Sequence, residues 1–264
     1  MKRITLVIAG SIAAVTCLLP ARVNAQGTPS SKATAAINTT VGCTFAISST
    51  LGDTLSPTQC HDVFSGAAVE VTPDNFATIM TSTIKVSNSQ SLFVSPSLVT
   101  GLYTQTKTKT SPGTTSQAVA EGGVFLRAII TNNATGEVQI GYPVNVCDAS
   151  ILGCSPVGDD YGVTLDSRLQ SLTQSISDCI VNVADTTGTC TFDLTTDLIL
   201  KTTSAHSFNF IFPNVGVGVY TVQIQAAVNS RATTSGYATA IGGAAYGLGS
   251  VTVESVRLVH DFSF

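Results

Sequence analysis

Side chains able to do chemistry are sparse in this chain and stand apart from one another. There are three histidines, His61, His206 and His260. His61-Asp62 beside Cys60 has the makings of an oriented imidazole, but no nucleophile is set with it, and a loop histidine beside a disulfide is the simpler reading. Ser82-Thr83-Ile84-Lys85 has S-x-x-K spacing. An acyl-transfer serine of that kind opens a helix, whereas Ser82 falls in a run that alternates like a strand. Asp159-Asp160 with Asp166 offers carboxylate oxygens for calcium. It lacks the Asx spacing and turn glycine of an EF-hand loop and reads as a solvated loop. No G-x-S-x-G, H-E-x-x-H or P-loop pattern occurs. The sequence therefore assigns no catalytic residue, no metal ligand and no cofactor.

The cysteines are better organised. One of the seven, Cys17, lies in an N-terminal segment with the marks of an export signal: Lys2 and Arg3, an apolar run from Ile4 to Leu19, and Val23-Asn24-Ala25 as a small-residue cleavage site. Residues 1–25 are thus expected to be removed. The other six, Cys43, Cys60, Cys147, Cys154, Cys179 and Cys190, are even in number in an exported chain, which predicts disulfides rather than a metal site. The preferred pairing is sequence-local: Cys43 with Cys60, Cys147 with Cys154, Cys179 with Cys190. Zinc would need CxxC-type spacing or more histidine nearby.

Removal of 1–25 takes Lys2, Arg3 and Arg22 with it and moves the formal charge from −4 to −7. A chain this poor in clustered Lys and Arg is not built for nucleic acid.

The elements that would position any site are mostly strands. Residues 26–36 are a small, polar, flexible leader, and 37–264 a single domain with an internal break near 111–117. Thr40–Ser48 alternates, with Val41, Cys43, Phe45 and Ile47 expected inward. In Phe76–Val86 the apolar side chains fall on even positions. Thr104 to Thr110 places threonine on one face and Gln or Lys on the other, which suits a solvated edge strand or a loop. Gly123–Thr131, the turn Asn132–Gly136 and the run Glu137–Val146 predict a hairpin. Leu165, Leu169, Leu172 and Ile176, with Thr164 as N-cap, predict one short helix over 164–178. Val219–Val228 is a strand with Tyr220, Val222, Ile224, Ala226 and Val228 on its core face. Tyr237–Gly249 carries no charge and reads as a buried strand or a surface for close backbone approach. In the closing segment the apolar phase slips from Val251 and Val253 to Val256 and Leu258, which predicts a β-bulge at Glu254-Ser255.

Two formal glycosylation sequons, Asn38-Thr39-Thr40 and Asn133-Ala134-Thr135, are present. Tyr103, Tyr142 and Tyr161 are the aromatics available to stack on sugar rings. Tyr237, Tyr246, Phe262 and Phe264 make up a candidate interaction surface.

The fold class expected is all-β and mainly antiparallel, a jelly-roll-like β-sandwich with one helix. The function expected is a secreted, non-enzymatic binding, adhesive or cell-surface structural role, with a protein or glycan as partner. Val256, Leu258, His260, Phe262 and Phe264 alternate up to a C-terminal phenylalanine, an ending that resembles that of bacterial outer-membrane barrels. The resemblance covers about nine residues and implies, as the alternative, a membrane β-barrel. A secreted hydrolase with a carboxylate pair hidden in a sandwich is the third reading.

Overall fold

The computed structural model describes residues 32–52, 60, 68–70, 76–110, 113–143, 162–175 and 194–257. Residues 1–25, expected to be an export signal, Cys147, Cys154, Cys179, Cys190, His61, His260, Tyr161, Asp159-Asp160 and Leu258–Phe264 lie outside them.

Twelve strands run through the described residues: β1 (Ala33–Asn38), β2 (Val41–Ser49), β3 (Ala68–Glu70), β4 (Ala77–Val86), β5 (Gln90–Lys109), β6 (Thr115–Asn132), β7 (Val138–Ile140), β8 (Val163–Ser175), β9 (Thr195–Ser207), β10 (Phe210–Val215), β11 (Gly218–Ser235) and β12 (Ala238–Val256). They form two sheets. In one, β5 lies between β12 and the collinear pair β9 and β10, while β12 takes β1 and β2 on its far side and β3 runs parallel to β2. In the other the order is β4-β11-β6, with β7 and β8 both on the far side of β6. All pairings except β2 with β3 are antiparallel.

The pairings nest. The first strands pair with the last, β4 with β11, β5 with β9 and β10, and β6 with β7 and β8. β5 and β6, consecutive in the chain, lie in different sheets.

The sheets pack face to face over one core of Leu92, Val94, Leu98, Leu102, Leu126, Ile130, Phe210, Phe212 and Ile224 among others. Val219–Val228 behaves as its period of two requires, with Tyr220, Val222, Ile224, Ala226 and Val228 buried. Met80, Ile84 and Val86 do the same on β4. The hairpin at Asn132–Gly136 forms: Asn132 N–H donates to Glu137 O at 2.9 Å, and Gly136 takes the φ of 72° that its turn needs. Among the described residues the sheets are open and filled by side chains, which is not a closed membrane barrel. No described helix is long and apolar enough to cross a membrane.

Several expectations are corrected. The helix expected over 164–178 does not form in its described part: Val163–Ser175 is β8, hydrogen-bonded to β6 along its length, with a register shift opposite Val124/Phe125, and residues 176–178 lie outside the described residues. The Leu165/Leu169/Leu172 stripe fits a helix and a strand imperfectly. Only Leu165 packs against the main core, Leu169 faces solvent, and the inward face is Asp166, Arg168, Gln170, Leu172 and Gln174. The Ser/Thr-rich sequence had little helix propensity to set against pairing with β6.

Thr104–Thr110 is neither an edge nor a loop. Thr104, Thr106 and Thr108 are fully buried on β5, a central strand.

On β2 the phase is inverted. The even residues Gly42 and Thr44 face the other sheet. Cys43 and Phe45 form a satellite cluster on the outer face with Cys60, Tyr103 and Ala245, and Ile47 is exposed.

The bulge of β12 lies between Tyr246 and Gly249, not at Glu254-Ser255, where the register with β5 is regular. β1 starts at Ala33, inside the stretch read as a leader, and pairs with the Gly249–Glu254 stretch of β12.

The inverted phase has a steric cause. In this half of the sandwich the sheets approach almost to backbone contact. A Cβ on Gly242 would run into the carbonyl oxygens of Glu121 and Arg231, and one on Gly122 into that of Gly243. Ala118, Ala120, Ala238 and Ala240, with Ala232 packed against them, fill the layer beside them. Phe45 of β2 is left the outer face.

Candidate functional site at the open β8–β9 seam

The sandwich is bridged at one corner. Tyr142 and Ile211 exchange backbone hydrogen bonds of 2.9 and 2.7 Å, joining the end of β7 to β10. Above that corner β8 and β9 are, among the described residues, the outermost strands of their sheets and do not pair with each other. The seam between them is where polar side chains collect.

Across it runs a ladder of side-chain hydrogen bonds. Thr100 Oγ1 donates to Asp166 Oδ2 at 2.6 Å, Thr104 Oγ1 to Gln170 Oε1 at 2.6 Å, and Thr108 Oγ1 to Gln174 Oε1 at 2.9 Å. Both sets of residues are four apart, so β5 and β8 run in the same direction and in step, as aligned sheet packing allows. Gln170 Nε2 completes the middle rung by donating to Thr106 Oγ1 at 2.7 Å and to Leu198 O at 2.9 Å. Arg168 Nη2 donates to Thr202 Oγ1 at 2.6 Å, while its buried Nη1 has no protein partner.

At one end of the ladder a serine, a histidine and an aspartate meet. Ser204 Oγ lies 2.7 Å from His206 Nε2, and the same Nε2 lies 3.4 Å from Asp166 Oδ2. A serine relay needs the carboxylate on the other ring nitrogen, so that the imidazole can take the serine proton while the acid holds it. Here Ser204 Oγ itself donates to Asp166 Oδ2 at 3.4 Å. One oxygen of Asp166 thus gathers Thr100, Ser204 and His206. The chemistry this supports is attachment: it ties β9 to β8 across the seam.

β9 is the other feature of the site. It pairs with β5 from Ser207 to Thr195 and with no strand on its outer side among the described residues. Leu198, Ile199 and Leu200 are 43%, 53% and 42% exposed, on both faces of the strand, and Leu194 is exposed just before it. Ile199 is opposite Gln105 on the outer face of the sheet, where Gln105 Nε2 donates to both carboxylate oxygens of Asp197 at 3.1 Å.

No family model matches this chain and no curated protein is matched by it. A solved structure of infectious bursal disease virus, Gx strain, matches over 85% of this chain and 38% of its own, at 13% identity and a TM-score of 0.22. So low a score carries no argument about fold or function.

The residues singled out from sequence are distributed as follows. Cys43 and Cys60 are joined in a disulfide, with Cα atoms 5.8 Å apart, which fits an oxidising environment. Tyr237 is exposed at the β11–β12 turn. Tyr246 is buried with its ring against Gly42, and burial pushes its phenol pKa up by disfavouring the phenolate. These two tyrosines therefore do not share an accessible surface, and Phe262 and Phe264 lie outside the described residues.

Tyr103 and Tyr142 are set apart by about ten residues of β5, roughly 33 Å. Ser82 is buried and bonded to Thr34 Oγ1 at 2.7 Å, while Lys85 points to the opposite, exposed face. Asn38 is buried, its amide donating to Thr40 O and Gly247 O, so that sequon is part of the strand junction. Asn133 is exposed in its turn.

Sequence reasoning did not single out Ser204, Leu198, Ile199 or Leu200, and treated Asp166 as part of a helix or a calcium loop. The available cue was the pair of four-residue repeats, Thr100/Thr104/Thr108 and Asp166/Gln170/Gln174. Neither repeat means anything until the two strands are superposed.

Proposed function

We propose that this protein is an exported, non-enzymatic β-sandwich that acts by surface contact, as a binding, adhesive or cell-surface structural module. The observation that supports this best is β9: a thirteen-residue strand at a sheet edge among the described residues, with aliphatic side chains bare on both faces. Soluble proteins blunt such edges with charge, proline, bulges or a covering segment, because an open strand recruits another chain. β9 carries one Asp and one Lys in its exposed centre and no proline. The Cys43–Cys60 disulfide supports export, and the nested strand pairing supports a jelly-roll reading of the sandwich. The use of Ser204, His206 and Asp166 as a tie between sheets favours contact over hydrolysis. A protein partner is favoured over a glycan, since Tyr103 and Tyr142 lie far apart.

The test is in the producing cell. A photoreactive phenylalanine analogue at Ile199 is expected to yield a discrete protein cross-link in the periplasmic, secreted or surface fraction. No cross-link, or a cytoplasmic protein, would sink the reading. So would an esterase or glycosidase activity that disappears in Ser204→Ala or His206→Ala.

A further inference from the structure

We propose that the partner of β9 is β9 of a second copy of this chain, paired antiparallel about a twofold axis through Ile199. This rests on the surface-contact reading above and names its partner.

The argument begins with Asp197-Leu198-Ile199-Leu200-Lys201. Read backwards, the stretch has the same apolar centre, and its two ends exchange charge. Antiparallel self-pairing centred on Ile199 places Asp197 opposite Lys201 of the second copy at both ends. Leu198 falls opposite Leu200, and Ile199 opposite itself. Opposite charges and paired aliphatics directly across an antiparallel ladder are favourable, and a twofold interface repeats each such pair. A parallel pairing in register would instead stack Asp197 on Asp197. A slip of one residue would turn every side chain to the wrong face.

The backbone is set for that register. Along the β5–β9 ladder the bonded residues are even-numbered: Thr110 N–H donates to Leu194 O at 2.9 Å, and Phe208 N–H to Pro96 O at 3.0 Å. The register between these points is unbroken. The N–H and C=O of Asp197, Ile199 and Lys201 therefore face the open edge. Those are the residues that must form hydrogen-bonded pairs in a ladder centred on Ile199, with two bonds at each rung.

The side chains fit as well. Leu198 and Leu200, at the mouth of the seam, would cover each other on the inner face. On the outer face Ile199 would meet its copy between two ion pairs, with Asp197 already steadied by Gln105. The two sheets would become one continuous sheet across the axis.

The experiment is sedimentation velocity on the full chain with its disulfide intact, over a micromolar to millimolar series at low salt. The wild type is expected to dimerise. Asp197→Lys and Lys201→Asp each set like charges opposite one another twice and should weaken the dimer about tenfold or more. An equimolar mixture of the two variants should dimerise again, because each pair of lysines then faces a pair of carboxylates. The double variant Asp197→Lys/Lys201→Asp should also recover. Unchanged circular dichroism and melting of the single variants would confirm that they fold.

Wild-type-like dimers in both single variants, or no recovery in the mixture, would overturn the register. A wild-type monomer that still cross-links a different protein through position 199 would overturn self-pairing and leave the surface-contact reading standing. A monomer with no cross-link would overturn both.

Discussion

Gln170 on β8 accepts a 2.6 Å hydrogen bond from Thr104 on β5, across the space between two sheets in which neither residue is exposed. The amide satisfies both of its ends there, since Nε2 donates to Thr106 and to the backbone of Leu198. A buried amide so bonded costs little, but one robbed of a partner costs the desolvation of what remains. Thr104→Val should therefore destabilise by about 1–3 kcal/mol. Gln170→Ala, which orphans two threonine hydroxyls, should cost at least as much. Urea unfolding of the single variants and the double variant would give a coupling energy, and additive effects would show that the rung does not act as a unit.

The backbone approach at Gly242 makes a second prediction. A methyl at this position meets two carbonyl oxygens of the opposite sheet, so relief requires a whole strand to shift. Gly242→Ala should cost about 2–3 kcal/mol by overpacking. At Gly216 a Cβ would meet only the Tyr220 hydroxyl, at 3.7 Å, and Gly216→Ala should stay within about 0.5 kcal/mol of the parent. Denaturant midpoints for the pair check this, and equal losses would refute the close-approach account.

Burial of Tyr246 predicts an alkaline weakness. Its phenol pKa is raised in the fold, so the folded state holds that proton where the unfolded chain has begun to release it. The contribution is complete below the unfolded value of about 10 and is lost as pH rises through the folded value. Tyr246→Phe should flatten the fall in stability above about pH 10 and leave stability at neutral pH within about 1 kcal/mol. Melting temperatures of both proteins from pH 7 to 11 would test it, and parallel curves would exclude Tyr246 as the cause.

The Cys43–Cys60 bridge closes a span of 17 residues. In the chain-entropy account a loop of this size contributes about 3 kcal/mol. Cys60→Ser should lower the unfolding free energy by about that amount. Its effect should centre on the outer cluster of Phe45, Tyr103 and Ala245, away from the seam. Hydrogen exchange would locate it, and a loss of protection centred on β8 would contradict this placement.

Much of the β-structure was legible because half-buried strands leave a period-two trace. Val219–Val228 and the even face of Phe76–Val86 sit where their alternation put them, and the Asn132–Gly136 turn carries its own chemistry. The seam was not legible. Its threonines and amides leave no apolar trace, and a four-residue repeat is two strand periods but also close to one helical turn. Leu165, Leu169 and Leu172 therefore read as a helix stripe, although tertiary pairing with β6 made them a strand.

Pattern alone could say that the chain is all-β, that its turns fall at Gly- and Asn-bearing breaks, and that Cys43 and Cys60 are near enough to join. Those features depend on neighbours a few residues away. The three-dimensional arrangement decided which face of β2 is inside, because Tyr246 fills the space beside Gly42 and the sheets close to backbone contact at neighbouring Gly242, which leaves the inner layer to small residues. It decided that Thr104 is core, because its partner stands 66 positions later. It also decided that β9 is an edge among the described residues, since a strand has an unpaired side only relative to the sheet it joins.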